Sequence, residues 1–300
     1  MRAVVLINAA AGSIDETSTN REAERIREAF RAAGVDVEVE AVEGGHMPEA
    51  VQRAAASDVD AIVVGGGDGT ISAAAGALGR CSKPLGILPL GTLNHFAKDL
   101  GIPLELEDAA RTIAEGHVIE VDLGEVNGRS FINNSSIGLY PKAVEDRDRQ
   151  RERHGRGKWA AMVRATLQAF RRFQVLRVRI EAEGKELFLS TPLVMIGNNH
   201  YDVSLLEAGG RERLDRGELS VYVARVTGRA AMLKLLARAA VGRLEQSRDF
   251  EAMLVPDMRI EAGGREVRVA LDGEVTRMAL PLEYRIRPKA LRVLVPASGA

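Results

Sequence analysis

The stretch Val63-Val64-Gly65-Gly66-Gly67-Asp68-Gly69-Thr70 follows an apolar run with four glycines in five positions and one carboxylate among them. In a parallel α/β domain, ligands collect where a strand ends and the chain turns into the next helix. Glycines there allow a tight turn that brings backbone N–H groups against an anion, and the helix N-terminus adds its dipole. The stretch therefore predicts a phosphate-binding loop. The alternative is a turn in which Asp68 and Thr70 only cap a helix that we expect to begin at Ile71.

Asp68 is unusual in such a loop because its carboxylate would repel a phosphate. A divalent cation or a proton-donating hydroxyl between the two groups removes this conflict, so the combination indicates phosphoryl transfer. The Gly-Lys-Ser/Thr that marks a P-loop does not follow the glycines, and we do not expect a site of that class.

The first 120 residues alternate between strand and helix patterns, which predicts parallel strands joined by crossover helices. We expect a helix over 17–34 that is capped by Ser18 or Thr19 and ended by Gly34. The other predicted elements are strands at 3–7, 35–42, 61–64 and 84–88, and helices at 48–57, from residue 71, after Asn94 and at 106–116.

From about residue 117 the pattern changes to alternating strands, and the Asn127-Gly128 pair predicts a tight hairpin turn. We therefore expect an α/β domain over 1–120 and a mostly antiparallel, β-rich domain over 121–300, with the last strand near 290–296 a candidate to return to the first domain. Further strands are predicted at 175–184, 185–197, 218–226, 258–271 and 290–296, and helices at about 158–172 and 228–243.

Composition excludes several classes of protein. The 41 Lys and Arg residues balance the 42 Asp and Glu residues, so the overall charge gives no reason to expect nucleic acid as a partner. Cys81 is the single cysteine, which excludes an intrachain disulfide framework and fits a cytoplasmic setting. No apolar run approaches the roughly 18 residues that a membrane span needs.

Two further loops resemble the first in chemistry. PLGTLNHFA, over 89–97, follows the next predicted strand and offers Gly91, Thr92 and Asn94 before a helix. The first strand also runs into a loop of small residues, Asn8-Ala9-Ala10-Ala11-Gly12. Because the carboxyl ends of parallel strands meet at one edge of a sheet, these loops together could enclose one nucleotide.

A second candidate site lies near the end of the chain, where Asp272-Gly273-Glu274 puts two carboxylates on a tight bend. We expect Gly263-Gly264 to turn a hairpin into the strand that leads there. A carboxylate on such a bend is a candidate general base for an acceptor hydroxyl. The alternative is a plain hairpin turn, because Asp-Gly is a common turn pair.

Four motifs, GGGDGT, PLGTLNHFA, INAAAG and the late LDGE, together resemble the diacylglycerol kinase catalytic-domain family, especially its bacterial lipid kinases. That family also includes sphingosine and ceramide kinases, whereas NAD kinases share the GGDGT signature alone. The resemblance covers nearly the whole chain. It implies an N-terminal α/β nucleotide-binding domain, a C-terminal β-rich domain and ATP in the cleft between them.

The resemblance also implies roles for individual residues. Glu274 would be the general base, Asp272 would hold metal or fix the turn, and Asp68 would hold Mg²⁺, with Asp122 as a second ligand through water or, alternatively, in a surface salt bridge. The acceptor would be a lipid alcohol reached by transient contact with the membrane surface, and the oligomeric state is left open, a homodimer included. The nucleotide-binding residues would be Asn8, Ala9, Ala10, Ala11, Gly12, Gly65, Gly66, Gly67, Asp68, Gly69, Thr70, Gly91, Thr92 and Asn94.

Two departures from the family pattern bear on the site. The first loop lacks the proline and hydroxyl that members commonly carry, which predicts looser positioning of ATP. Arg216 stands where many bacterial members have the aspartate of a structural Mg²⁺ site, and an arginine cannot ligate the ion. NAD kinase and a nucleotide-binding regulatory protein without catalysis are the competing hypotheses.

Overall fold

The computed structural model describes residues 1–9, 16–79, 81–138, 175–200, 211, 213–226, 228, 231 and 250–297. The chain divides into two compact units. The first comprises Met1–Leu123, Ser130–Ile132 and Arg287–Ala300, and the second comprises Gly124–Arg129 and Asn133–Ile286. An α/β unit with a parallel sheet and a β-rich antiparallel unit confirm the predicted fold class.

The sheet of the first unit contains five strands that pair in parallel, in the order β2 (Val37–Val42), β1 (Ala3–Asn8), β3 (Ala61–Gly66), β4 (Leu85–Pro89) and β16 (Leu282–Val295). Every residue of β3 is buried, as expected for a parallel strand that is covered on both faces. Ile7 pairs with Gly65, and Gly66 pairs with Pro89, so β1, β3 and β4 end at the same edge of the sheet.

Helices connect these strands and pack in pairs, α1 against α5 and α2 against α3. The alanine-rich α3 buries Ile71, Ala74, Ala75 and Leu78, and its small side chains allow the close approach. The helices are α1 (Glu16–Ala32), α2 (Met47–Ala56), α3 (Asp68–Leu78), α4 (His95–Asp99) and α5 (Leu106–Glu115), with a 3-10 turn at Gly44–His46 before α2.

The second unit contains an antiparallel sheet of six strands in the order β12 (Phe250–Val255), β11 (Leu219–Ala224), β10 (Leu193–Asn198), β7 (Asn134–Gly138), β14 (Glu266–Leu271) and β15 (Glu274–Ala279). A second antiparallel group runs from the first residues of β16 through β13 (Asp257–Ala262) and β8 (Leu176–Ala182) to β9 (Lys185–Thr191). The hydroxyl groups of Ser135 and Tyr284 lie 2.9 Å apart and join the two groups of strands. Burial raises the pKa of the Tyr284 phenol, and its hydrogen bond to Ser135 opposes that shift.

One turn among the later strands has the dihedral angles that its sequence predicts. Asn127 and Gly128 have φ of 46° and 81°, which confirms the predicted hairpin turn between β5 and β6. The strands are β5 (His117–Val126), β6 (Arg129–Phe131), β7 (Asn134–Gly138), β8 (Leu176–Ala182), β9 (Lys185–Thr191), β10 (Leu193–Asn198), β11 (Leu219–Ala224), β12 (Phe250–Val255), β13 (Asp257–Ala262), β14 (Glu266–Leu271) and β15 (Glu274–Ala279).

Two predictions about strand pairing were wrong. Gly263-Gly264 does not turn a hairpin, because β13 pairs with β16 and β8 whereas β14 pairs with β15 and β7. The single strand predicted over 185–197 is two strands that belong to different groups. Pro192 separates them because proline cannot donate a ladder hydrogen bond, and the Thr191 hydroxyl accepts the Leu193 N–H at 3.1 Å instead.

Two predicted helix starts were also wrong. The first helix, Glu16–Ala32, contains Ser18 and Thr19, which therefore lie inside it rather than capping it. Gly34, with φ of 76°, follows its end as expected. The helix expected to begin at Ile71 begins at Asp68, so the last residues of the glycine stretch form its first turn.

The predicted helix over 158–172 falls outside the described residues, as does the helix over 228–243 apart from residues 228 and 231. Within the described part of the chain, no helix has the length and apolar character required to cross a bilayer.

Candidate functional site

The first element of the candidate site is the edge of the parallel sheet at which β1 and β3 end. Asn8 is the last residue of β1, and its Nδ2 donates to Oγ1 of Thr70 in the first turn of α3 at 3.0 Å. The Thr70 hydroxyl accepts this bond and keeps its own hydrogen to donate. Ala9 donates its N–H to the Val42 carbonyl at 2.9 Å, and Ala10, Ala11 and Gly12 lie outside the described residues.

The loops after β3 and β4 touch through the backbone of two glycines. A Cβ on Gly91 would lie 2.4 Å from Cα of Gly67, closer than real Cβ atoms approach a backbone atom. Gly65 and Gly66 are also crowded, because a Cβ on Gly66 would lie 2.7 Å from the Thr70 side chain. The glycines therefore allow two loops and the start of α3 to occupy one small region, as the phosphate-loop prediction requires.

Asn94 supports the second of these loops from within. It is buried and adopts a left-handed conformation with φ of 51°. Its Oδ1 accepts the Gly91 N–H at 3.0 Å, and its Nδ2 donates to the carbonyls of Pro89 and Gly91 at 3.1 and 2.9 Å. Both amide hydrogens are used inside the loop, so the side chain positions the loop. Thr92 and Leu93 are exposed at its tip.

Asp68 connects the two glycine loops. It is the first residue of α3, half-buried, and its Oδ1 accepts the Phe96 N–H at 3.4 Å. A carboxylate is favoured at this position because the first turn of a helix carries partial positive charge. The contact holds the carboxylate near the ends of both β3 and β4.

Asp122 is fully buried in the first unit, which contradicts the alternative of a surface salt bridge. Its Oδ1 accepts the backbone N–H of Lys289 at 2.8 Å, and Lys289 lies in β16 with a φ of 51°. This hydrogen bond stabilises the left-handed backbone conformation of Lys289 in the last strand. Among the described residues no group of three or more His, Cys, Asp and Glu side chains could hold a metal ion.

The acidic turn lies in the second unit, where Asp272 and Gly273 form the two-residue turn between β14 and β15 with φ of 46° and 87°. The Asp272 Oδ1 accepts the backbone N–H groups of Asn133 and Asn134 at 2.8 and 2.9 Å. The Asp272 N–H donates to the Asn134 carbonyl at 2.9 Å. Asp272 therefore attaches the turn to the start of β7, and Glu274 is exposed directly after it.

Sequence reasoning did not identify the partners of this turn. Asn133 and Arg211 are both buried, and the Arg211 Nη2 donates to the Asn133 Oδ1 at 2.8 Å. The available signal was the polar run Asn133-Asn134-Ser135-Ser136, which lies between Ile132 and Ile137 in a segment that otherwise reads as a buried strand. Nothing in the sequence pattern around Arg211 indicates that its side chain is buried.

Comparison with known proteins agrees with this architecture. Residues 2–126 match the family model described as the diacylglycerol kinase catalytic domain, and residues 136–295 match the YegS C-terminal NAD kinase beta sandwich-like domain. The α/β unit and the β-rich unit correspond to these two matched domains. The chain belongs to the family of YegS-like lipid kinases and diacylglycerol kinases.

Individual relatives match over most of their length. A protein of Pseudomonas aeruginosa named "Probable lipid kinase YegS-like" is 32% identical, over 93% of this chain and 91% of the relative. A diacylglycerol kinase of Mycobacterium tuberculosis is 31% identical, over 89% of this chain and 87% of the relative. The crystal structure of a diacylglycerol kinase from Bacillus anthracis has the same fold, with a TM-score of 0.71 at 22% identity over 100% of this chain and 98% of that one.

The contact between the two glycines generates a prediction about stability. In Gly91→Ala the new Cβ meets the Gly67 backbone, so the loops must separate, and we expect the free energy of unfolding to fall by about 1–3 kcal/mol. Urea denaturation measures this loss. Gly67→Ala is the matched control, because its Cβ would lie 3.5 Å from the Gly91 Cα in an ordinary contact and its φ of −88° suits alanine. Equal losses of unfolding free energy in the two variants would contradict the prediction that only a Cβ on Gly91 clashes with the other loop.

Proposed function

We propose that the protein is an ATP-dependent lipid kinase that transfers the γ-phosphoryl group of ATP to the hydroxyl of a diacylglycerol-like lipid. The observation that carries the proposal is the packing of Gly67, which joins β3 to α3, against the Gly91–Asn94 loop at one sheet edge, with Asp68 in contact with Phe96 beside it. Backbone N–H groups and a helix N-terminus suit phosphates, and phosphoryl transfer depends mainly on positioning and charge neutralisation. Family membership supports the lipid as the acceptor.

Mg²⁺ fits this proposal through Asp68. Mg²⁺ in such sites is usually bound by one or two carboxylates together with the substrate phosphates, so a cage of protein ligands is not needed. Asp68 is half-buried within the loops and would hold the ion, whereas Oδ1 of Asp122 already accepts the Lys289 N–H. When bound, the ion supplies charge neutralisation on the phosphates. A role for Asp122 as a second ligand stays a prediction.

Glu274 is the candidate general base for the acceptor. In the proposed reaction the acceptor oxygen forms a bond to the γ-phosphorus while the bond from that phosphorus to the ADP oxygen breaks, and Glu274 accepts the hydroxyl proton. The exposure of Glu274 beside a turn that Asp272 holds by three hydrogen bonds supports this role. A diacylglycerol remains in its bilayer, so we expect the enzyme to work at a membrane surface.

The acceptor is tested by incubating the purified protein with radiolabelled ATP and Mg²⁺ in parallel with mixed vesicles that contain diacylglycerol, with a short-chain diacylglycerol, with NAD and without acceptor. We expect the label to enter lipid, and to do so fastest in the vesicles. Phosphorylation of NAD with none of any lipid would move the assignment to NAD kinase. Binding of ATP with no transfer in any arm would instead support a regulatory protein.

Asp68→Asn tests the phosphate loop. The amide can still accept the Phe96 N–H, so the fold should persist, but the charge that holds Mg²⁺ is lost and kcat should fall by at least about 10²-fold. Steady-state kinetics and circular dichroism measure both. Asp58→Asn, the same change at a side chain that is 93% exposed, is the control and should retain full activity. Near-normal kcat in a folded Asp68→Asn protein would remove Asp68 from the reaction.

Glu274→Gln tests the general base. Glutamine has nearly the same shape as glutamate but lacks the carboxylate that accepts a proton, so we expect ATP affinity to be retained while single-turnover transfer falls by about 10²–10⁴-fold. Glu266→Gln, an exposed position at the other end of the same strand pair, is the control. Recovery of the Glu274→Gln rate on adding Mg²⁺ would identify Glu274 as a metal ligand. A wild-type rate in Glu274→Gln would show that Glu274 is only a turn residue.

A further inference from the structure

The second unit contains a buried arginine whose contacts lead to the acidic turn. Arg211 has 6% of its surface exposed. Its Nη2 donates to Oδ1 of Asn133 at 2.8 Å, and its Nη1 donates to the backbone carbonyl of Asn198 at 3.3 Å. A guanidinium is costly to bury and is seldom enclosed unless its donors are used, so this placement calls for a specific reason.

Asn133 joins the arginine to the turn. Its side-chain oxygen accepts from Arg211, its backbone N–H donates to the Asp272 carboxylate at 2.8 Å, and its carbonyl accepts the Asn198 N–H at 2.9 Å. One residue thus contacts a cation on one side and an anion on the other. Hydrogen bonds to charged groups are the stronger kind, so the position of Asn133 is well determined.

The segment that carries Arg211 is itself attached to the same place. Asn199, next to Asn198, accepts the Arg216 N–H on Oδ1 at 2.8 Å and donates its own N–H to the Glu218 carbonyl at 3.0 Å. The Ser220 hydroxyl donates to the Asn199 carbonyl at 2.7 Å. Arg211 therefore reaches Asn133 from a segment that is fixed to the end of β10.

We infer that Arg211 is a positioning residue that holds the Asp272-Gly273-Glu274 turn in place through Asn133. The inference rests on the proposed function for the role of Glu274. The chain of contacts from Arg211 through Asn133 to Asp272, which we call the clamp, is a property of the fold and does not depend on that role. A base must lie within hydrogen-bond reach of the proton it takes, and a displacement of about 1 Å can cost a large factor in rate. Arg211 acts on the reaction only by limiting that displacement.

Arg211→Met tests the inference with two measurements. Amide hydrogen exchange should become faster at Asn133 and Asn134, whose N–H groups bind Asp272, and kcat for lipid phosphorylation should fall by about 10-fold or more with KM for ATP unchanged. Arg213→Met is the matched control, because it removes an exposed arginine paired with Asp215 from the same segment. It should leave exchange and kcat at the wild-type values.

The conservative variant and a double variant separate positioning from a general loss of stability. Arg211→Lys keeps the charge but cannot span both acceptors, so its kcat should lie between those of the wild type and Arg211→Met, and it provides the test if Arg211→Met does not fold. If Arg211 and Asp272 both act through Asn133, Arg211→Met should have much less effect in an Asp272→Gly background, which removes the carboxylate that binds the Asn133 N–H and tolerates the φ of 46°. Additive effects would contradict a shared route.

Each outcome decides a separate point. Wild-type exchange at Asn133 and Asn134 in Arg211→Met would overturn the clamp. Faster exchange with an unchanged kcat would overturn its role in the reaction. If exchange is faster in Arg211→Met but the wild-type protein phosphorylates no lipid, the clamp is supported and the proposed function is refuted. Failure of the clamp and failure of the proposed function are therefore distinguishable.

Discussion

The backbone of Gly67 lies against Gly91 so closely that a single added methyl group on Gly91 has no room, and the candidate nucleotide site depends on this contact. It brings together the loops that leave two adjacent parallel strands. The carboxylate of Asp68 then reaches the Phe96 N–H, and the side chain of Asn94 fills the space inside the second loop. Backbone groups, rather than long side chains, therefore shape this surface, which suits a ligand whose charge is spread over phosphate oxygens.

The second unit holds its candidate catalytic turn by a different means. A two-residue turn has few contacts of its own, and here Asp272 makes three hydrogen bonds to Asn133 and Asn134 at the start of β7. Asn133 in turn accepts a hydrogen bond from the buried Arg211. Polar groups buried in this way are effective only if each finds its partner, because an unpaired group in the interior destabilises the fold.

Much of the fold was predictable because its signals are local. The apolar run of β3, the left-handed Gly34 after α1 and the Asn127-Gly128 turn each act within a few residues. The errors arose where a strand's partner is distant in sequence. Gly263-Gly264 reads as a hairpin, but β13 and β14 find their partners in different groups of strands, and no local pattern encodes that choice.

By itself, the sequence determined which residues stand at the strand ends and what chemistry they carry, because GGGDGT, PLGTLNHFA and the Asp-Gly turn are continuous stretches whose residue types set backbone conformation and charge. Only the tertiary structure decided how their side chains are used. Asn94 makes hydrogen bonds within its own loop, and Asp122 is buried against Lys289. Asp272 binds Asn133 and Asn134, which lie 139 and 138 positions earlier in the chain. Arg211 reaches Asn133 across 78 positions. Such contacts form between segments that meet only when the sheets assemble, so the physical reason is that hydrogen-bond partners are selected by distance in space and not by distance along the chain.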